Sequence, residues 1–219
     1  MQTSSGKREQ NKLANRASIL DSARRLFAEQ GYDAVTIRDV IRATPLASGT
    51  FYNYFPDKES LLRSLVEERL SELTDRLTQV RRTADTLEQF MQGAFLTTFE
   101  EICAHPDFYR MMFRNEPVIR AFFTDNVFGH TIRMLKIDLA DAVARGLLAD
   151  INVDYLTATI FGSAYELSRT LVERKNPDPR EAAMFVARLL INGLANLQPE
   201  PSGGELIRRG SLLLRGAAR

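Results

Sequence analysis

The sequence is poor in the residues that build covalent cross-links and metal sites. Of its 219 residues one is cysteine, two are histidine and none is tryptophan. A single cysteine excludes an internal disulfide and a thiolate metal cluster, and it fits a reducing compartment. We therefore expect no bound metal and no cofactor.

Long apolar runs are also missing. No apolar run reaches the roughly 18 residues that a membrane-spanning helix needs. The first residues, Met1 to Asn11, are polar and lack the apolar segment of a secretory signal. The sequence predicts a cytoplasmic protein that does not contact a membrane.

Motifs of catalysis are absent as well. The two histidines, His105 and His130, form no HxxxH pair, and the chain has no CxxC motif, no nucleophile elbow and no phosphate-binding glycine loop. These absences argue against the common hydrolase, metalloenzyme and nucleotide-binding classes. We expect that the protein is not an enzyme.

Positive charge is concentrated at the N-terminus, although the whole chain carries a net charge of only +1. Residues 1–25 hold six basic and two acidic side chains, a local net charge of +4. The basic residues are Lys7, Arg8, Lys12, Arg16, Arg24 and Arg25. This basic arm indicates either a contact with a polyanion or a solvated tail, and charge alone does not separate the two.

Helical periodicity dominates the first third of the chain. Its first apolar stripe consists of Ile19, Leu20, Ala23, Leu26 and Phe27. Gly31 then predicts a left-handed helix stop, and Thr36 with Asp39 predicts a capping box that opens a second helix. A short third helix over 48–55 precedes a long fourth helix that Asp57 caps.

The remaining periodic segments predict further helices at roughly 85–104, 107–114, 117–129, 131–145, 153–174 and 179–197, with one break at Gly129. No strand and no internal repeat is indicated. The predicted fold is all-α with about nine helices. We divide it into an N-terminal three-helix domain with its basic arm (1–60), a larger helical domain (61–197) and a loosely ordered tail (198–219).

The third helix carries two chemically different faces. Phe51 and Phe55 are four residues apart and can pack on the first two helices, whereas Thr50, Tyr52 and Asn53 place hydroxyl and amide groups on the other sides. A helix of this kind fits a major groove about 12 Å wide. The alternative is a helical adaptor that binds protein through a tyrosine-rich surface, without sequence-specific DNA binding.

From Arg16 to Leu65 the sequence resembles the N-terminal domain of the TetR family of helix-turn-helix regulators. The matching words are ILDSARRLFAEQGY from Ile19, TIRDV from Thr36 and GTFYNYFPDKESLL from Gly49. The chain departs from the family pattern at Pro45, where the turn usually has glycine, and at Ala47, where the helix cap is usually serine or threonine.

The resemblance implies a repressor that binds double-stranded, palindromic operator DNA as a dimer and responds to a small, largely apolar effector. It also implies that several polar side chains in the first four helices contact bases or phosphates. These residues are Lys12, Arg16, Thr36, Ser48, Thr50, Tyr52, Asn53 and Lys58.

Phenylalanine is concentrated in the second half, with ten of the 13 between Phe90 and Phe185. The resemblance implies an apolar effector pocket here, and plain core packing is the alternative. The ligand-binding candidates are Phe95, Phe99, Met112, Phe113, Phe123, Phe128, Phe161 and Tyr165. Nearby charges such as Glu166 and Arg169, three residues apart, predict surface ion pairs or partners for a polar effector group.

The segments 153–174 and 179–197 alternate small residues with large apolar ones, a pattern typical of helices that pack closely. The resemblance implies that these two helices form the homodimer interface. Internal packing within one chain is the alternative.

Overall fold

The computed structural model describes residues 4–123 and 127–196; for residues 4, 5, 48, 122, 123, 127, 128 and 196 it describes the backbone alone. Every regular element in this part of the chain is a helix, which confirms the all-α class. The ten helices are α1 (Ser4–Gln30), α2 (Ile37–Arg42), α3 (Ser48–Phe51), α4 (Lys58–Arg82), α5 (Leu87–Ala104), α6 (Pro106–Arg114), α7 (Glu116–Phe123), α8 (Val127–Ala144), α9 (Val153–Glu173) and α10 (Pro179–Asn196). The predicted tail, 198–219, lies outside the described residues.

Local helix signals are confirmed where the sequence predicted them. Gly31 follows α1 with a φ of 86°, a left-handed conformation that glycine adopts without steric cost. Thr36 and Asp39 form the complete capping box of α2. The Asp57 carboxylate accepts a hydrogen bond from the Ser60 N–H at 2.7 Å and so caps α4.

Two helix boundaries differ from the prediction. The predicted break at Gly129 is wrong, because α8 runs through this residue from Val127 to Ala144. Helix α3 ends at Phe51 rather than at residue 55, and Tyr52 is its C-cap. The N–H groups of Tyr54 and Phe55 both donate to the Phe51 carbonyl, so the chain turns here and does not continue as a helix.

Helix α1 is longer than its apolar stripe. The stripe begins at Ile19, but the helix begins at Ser4, so the basic segment that the sequence marked as an arm is helical from that residue onward. Lys12 and Arg16 therefore lie one helical turn apart on a rigid element. Side chains with good helix propensity fill this segment, and no proline interrupts it.

One apolar core runs through both predicted domains. Phe27, Phe51 and Leu61 from the N-terminal part and Phe99 and Met111 from the larger part belong to the same buried cluster. Helix α4 crosses the proposed boundary at residues 60 and 61 without a break. The N-terminal helices are therefore packed onto the larger domain, and a movement of α4 would displace residues in both.

Helices α4 and α5 pack unusually closely. A Cβ atom placed on Gly93 of α5 would lie 2.7 Å from Cγ1 of Val80 on α4. A larger residue at this position would force the Val80 side chain or the helices to shift, so glycine favours the close crossing. Helix α5 also packs against α9 and α10, and α4 also packs against α8.

Candidate nucleic-acid interface and effector domain

Helix α3 and the turn that follows it, up to Phe55, have the two faces that the sequence predicted. Phe51 and Phe55 are 1% and 2% exposed, which confirms that they pack inward. Tyr52 is 59% exposed and Asn53 is also exposed, whereas Thr50 is half-buried. The outer surface therefore offers a phenol and an amide, groups that hydrogen-bond phosphates and base edges.

The turn before α3 has no side-chain helix cap. Ala47 occupies the N-cap position and makes no capping hydrogen bond. Within the turn, the Thr44 Oγ1 accepts a hydrogen bond from the Leu46 N–H at 3.3 Å, which orders the turn but is not a contact with an N–H group of α3. The side chain of Ser48, which was predicted to contact DNA, lies outside the described residues.

Thr36 is exposed at the start of α2, and its hydroxyl is already engaged. It donates to the Asp39 carboxylate at 2.6 Å and accepts from the Asp39 N–H at 3.3 Å. Hydrogen bonds from the Thr36 hydroxyl and N–H lower the pKa of Asp39. The phosphate contact of Thr36 stays a prediction, and it would have to share this hydroxyl with the capping box.

Lys58 has a structural role that the sequence did not indicate. Its Nζ donates to the carbonyls of Tyr32 and Val35, both at 2.9 Å, and lies 4.1 Å from the centre of the Tyr32 ring. The ammonium group thereby ties the loop between α1 and α2 to the start of α4. A lysine ammonium has three donors, so one remains for the predicted phosphate contact.

The two basic candidates on α1 differ in their surroundings. Lys12 is exposed. Arg16 pairs with Glu68 of α4, and its guanidinium carbon lies 5.4 Å from the centre of the Phe55 ring. Arg16 therefore braces α1 against α3 and α4, and its predicted contact with DNA would compete with Glu68.

Asn115, at the junction of α6 and α7, was not singled out by the sequence. It is 3% exposed, and its Oδ1 accepts a hydrogen bond from the Tyr32 N–H at 2.6 Å. Its Nδ2 donates to the carbonyls of Phe27 at 3.0 Å and Met111 at 2.7 Å. One amide therefore joins the end of α1, in the N-terminal part, to the larger helical part.

The predicted ligand-binding residues fall into two described groups. Phe95, Phe99 and Met112 are buried in the core, with the two phenylalanine rings 5.9 Å apart. Phe113, Phe161 and Tyr165 are half-buried in a second cluster between α6 and α9, where Tyr165 is 5.3 Å from Phe113 and 6.3 Å from Phe161. The side chains of the remaining two candidates, Phe123 and Phe128, lie outside the described residues.

The second aromatic cluster borders an open groove of about 560 Å³ that charged side chains line. Glu116 lies between Arg120, at 2.7 Å, and Arg169, at 3.9 Å. The expected pair of Glu166 with Arg169 is therefore replaced by a contact between helices, because α7 brings Glu116 against α9.

The sequence also did not predict a buried ion pair between α4 and α8. Asp138 is 1% exposed, and its carboxylate meets Arg81 at 3.4 Å and Arg82 at 3.3 Å. Burial raises the pKa of Asp138, and the nearby guanidinium of Arg81 opposes that rise. The sequence offered no signal for this pair, since 57 residues separate Arg81 from Asp138.

The outer face of α9 and α10 is apolar in the single chain. Tyr155 is 75% exposed on α9, and Phe185 and Leu189 are 62% and 61% exposed on α10. Large apolar side chains in such a patch mark a surface that another molecule covers. This is the surface where the sequence placed the dimer interface.

The described ranges, 4–123 and 127–196, contain no candidate for a metal site or for a membrane-spanning helix. No group of three or more histidine, cysteine, aspartate or glutamate side chains there could hold a metal ion. No helix in that part of the chain is both long and apolar enough to cross a membrane.

The N-terminal region matches a known protein family. Residues 19–65 match the model of the family described as bacterial regulatory proteins, tetR family. The HTH-type transcriptional repressor Rv1474c of Mycobacterium tuberculosis is 32% identical over 161 residues, which are 70% of this chain and 82% of that protein.

Other relatives match over shorter stretches. The HTH-type transcriptional repressor KstR2 of Mycobacterium tuberculosis is 36% identical over 93 residues, 42% of this chain and 46% of that repressor. The match to the uncharacterized HTH-type transcriptional regulator YuxN of Bacillus subtilis spans 33% of that protein's length.

Solved structures share the fold along most of the chain. The fatty acid degradation regulator FadR from Bacillus halodurans superposes with a TM-score of 0.72 at 22% identity, covering 82% of this chain and 96% of that one. FadR from Bacillus subtilis, in complex with stearoyl-CoA, also gives 0.72, at 20% identity, with 83% and 99% coverage. At these identities the likeness concerns the fold.

The fold, the two-faced third helix and these relatives define a helix-turn-helix regulator of transcription. The match to Rv1474c extends well beyond the first 65 residues and into the larger helical domain. The chain belongs to the TetR family of bacterial regulatory proteins.

Proposed function

We propose that this protein is a cytoplasmic repressor that binds a palindromic operator as a homodimer and is released by a small, largely apolar effector. The DNA-binding domain would comprise residues 1–60, and the effector and dimerisation domain would comprise 61–197. The observation that carries the proposal is the outer face of α3. There, and in the turn that follows α3, Tyr52 and Asn53 are exposed, while Phe51 and Phe55 are buried on the opposite side.

The neighbourhood of α3 supports a duplex as the partner. Lys12 is exposed on α1, and Lys58 retains one ammonium donor beside the loop before α2. Phosphate contacts set the position of a protein on DNA, and base contacts give sequence preference. The phosphate contacts would be made by Lys12, Thr36 and Lys58. The base contacts would be made by Tyr52 and Asn53.

Replacing Tyr52 with alanine should weaken operator binding by about 1–3 kcal/mol, roughly 5- to 150-fold, because a groove contact is lost. The ring is mostly exposed, so the fold should be retained. The measurement is a mobility-shift titration on the DNA upstream of the protein's own gene, at one fixed salt concentration.

Gln79→Ala is the matched control, since Gln79 is exposed near the far end of α4 and should leave the affinity unchanged. Equal affinities for wild type, Tyr52→Ala and Gln79→Ala would show that Tyr52, at the end of α3, does not contact DNA. The absence of a specific shift by the wild type, on this DNA and on a random-sequence selection, would contradict the proposed function.

The larger domain supports an apolar effector. Its interior is rich in aromatic side chains, and Phe113, Phe161 and Tyr165 form a half-buried cluster that an apolar molecule could contact. Related folds include FadR in complex with stearoyl-CoA and the ketosteroid transcriptional regulator KstR2. The stearoyl chain and the ketosteroids in these names both have an extended apolar skeleton.

A homodimer through α9 and α10 would cover their exposed apolar face. Operator half-sites lie about 34–36 Å apart, one helical turn, so two α3 helices must be held at a fixed spacing. An effector that favours another spacing would lower the affinity for DNA, typically by about 1–3 kcal/mol.

Phe185→Asp should convert the dimer to a monomer at micromolar concentration. Burial of a phenylalanine side chain contributes about 1.5–3 kcal/mol, and a twofold interface counts it twice. We expect the dimer dissociation constant to rise at least about 100-fold, measured by sedimentation equilibrium.

Leu13→Asp is the control for this variant, because Leu13 is also an exposed apolar residue, 60% exposed, but lies on α1. It should leave the dimer intact. A dimer that survives both substitutions would place the interface elsewhere.

A further inference from the structure

Two buried polar atoms on the α4 face toward α8 have no hydrogen-bond partner among the described residues. They are the hydroxyl oxygen Oγ1 of Thr78 and Nε of Arg81. Such atoms are rare in folded proteins, because burial removes their water without replacing it. Both lie on the helix that carries the DNA-reading region, one turn apart.

The register of α4 on α8 explains why Thr78 is unpaired. The Thr74 and Thr131 hydroxyls are 3.0 Å apart, and Arg81 meets Asp138. Both pairs are separated by 57 residues, so the helices run parallel and the same offset brings Thr78 to Leu135. A leucine, 3% exposed, cannot accept the hydroxyl proton.

The buried charges of this interface balance, because Asp138 pairs with Arg81, while Arg82, whose side chain is 55% exposed, adds a positive charge at its edge. The single buried carboxylate of Asp138 faces the guanidinium groups of both Arg81 and Arg82. The Arg81 side chain is only 6% exposed, so water screens its charge poorly. The Thr78 hydroxyl and the Arg81 Nε–H can both donate, so a partner that accepts two hydrogen bonds, such as a carboxylate beside these guanidinium groups, suits the interface.

The surroundings limit the size and nature of such an anion. The helix register places the buried Leu135 of α8 opposite Thr78. A head group that reaches Arg81 must therefore be compact, and the rest of the molecule must be apolar. A carboxylate on a hydrocarbon skeleton meets both requirements.

We propose that Thr78 and Arg81 form the subsite for the effector's carboxylate, with the Thr78 hydroxyl and the Arg81 Nε–H each donating one hydrogen bond to it. This assignment rests on the proposed function as an effector-responsive regulator. It names the effector as an amphipathic carboxylic acid. Because both donors lie on α4, the bound head group would act directly on the helix that positions α3.

The test compares wild type with Thr78→Val, which removes the hydroxyl and keeps the shape. Straight-chain carboxylates from octanoate to hexadecanoate and the matched primary alcohols are the probes. The readouts are the melting temperature and the operator affinity with and without each probe. We expect wild type to respond to carboxylates, and Thr78→Val to need at least about tenfold more probe for the same response.

Without a probe, Thr78→Val should melt at the wild-type temperature or above it, because the lost hydroxyl had no partner. Thr74→Val is the matched control on the same face. It should melt lower, since its hydroxyl bonds Leu70 and Thr131, yet keep the carboxylate response. A second variant, Arg81→Lys, keeps the charge and removes Nε, and it should also weaken the response.

Three results would overturn the assignment: alcohols acting as well as carboxylates, Thr78→Val and Arg81→Lys responding like wild type, or no response of the wild type to any carboxylate. Operator binding without a probe is recorded in the same titrations. If the wild type does not bind the operator without a probe, the proposed function itself is contradicted. If it binds but does not respond to carboxylates, the carboxylate subsite alone is contradicted.

Discussion

Asn115→Ala is expected to lower the free energy of unfolding by about 3 kcal/mol and to weaken the link between the DNA-reading region and the larger domain. The substitution removes the acceptor of the buried Tyr32 N–H and the donor to the Phe27 carbonyl. A buried polar group left without a partner typically costs about 1–3 kcal/mol, and the vacated space adds to this.

In this variant the carbonyls of Phe27 and Met111 each keep a hydrogen bond, so they lose less than the Tyr32 N–H does. Phe27 still accepts a hydrogen bond from Gly31 N–H at 3.2 Å, and Met111 accepts one from the Asn115 N–H at 3.1 Å. The main loss is therefore at Tyr32, in the turn that follows α1. We expect this turn to loosen and the effector's influence on operator affinity to shrink.

Urea unfolding measures the loss of stability, and operator affinity with and without effector measures the coupling. Asn15→Ala is the control, because Asn15 makes one long, partly exposed contact of 3.3 Å with the Tyr54 hydroxyl. That variant should lose less than about 1 kcal/mol. If Asn115→Ala unfolds at the same urea concentration as Asn15→Ala, Asn115 does not join the two parts.

Asp138→Ala is expected to cost about 3–5 kcal/mol, because it leaves the Arg81 guanidinium buried without its carboxylate. Burial lowers the pKa of Arg81, and the charge of Asp138 offsets that effect. The loss should be visible as a lower melting temperature and a lower urea midpoint. Operator binding should persist where the variant remains folded.

A double substitution separates the cost of leaving the Arg81 charge unpaired from the contribution of the ion pair to stability. Arg81→Met with Asp138→Leu removes both charges and should recover most of the lost stability, since buried ion pairs are often no better than apolar side chains of similar size. The same double variant lacks Arg81 Nε and should respond poorly to carboxylates.

Asp141→Ala controls for the loss of an acidic residue from α8. Asp141 is exposed and pairs with Arg145 one turn along the helix at 3.2 Å, a contact worth less than about 0.5 kcal/mol. A comparable loss of stability in Asp141→Ala and Asp138→Ala would mean that burial of Asp138 is not the cause.

Features that depend on neighbouring residues could be predicted from the sequence. Thr36 caps α2 through Asp39, three residues away, and Asp57 caps α4 in the same manner. The four-residue spacing of Phe51 and Phe55 correctly indicated which side of α3 is buried. Such signals are readable because the helix itself fixes the relative positions of residues three and four apart.

Features that depend on distant partners could not be predicted. Asn115 finds its partners 83 and 88 residues away. Lys58 resembles a phosphate ligand in the motif, yet its ammonium lies on the carbonyls of Tyr32 and Val35. The expected pair of Glu166 and Arg169 gives way to Glu116 because another helix brings a carboxylate within reach.

The order of amino acids alone determined the helical class, most helix boundaries and the family, since these follow from local hydrogen bonding, apolar periodicity and a fifty-residue motif. Packing of the helices decided which polar groups are satisfied. It paired Arg81 with Asp138 and left the Thr78 hydroxyl without a hydrogen-bond partner among the described residues. The physical reason is that desolvation and charge pairing depend on what surrounds a group in space, and this is set only when the helices come together.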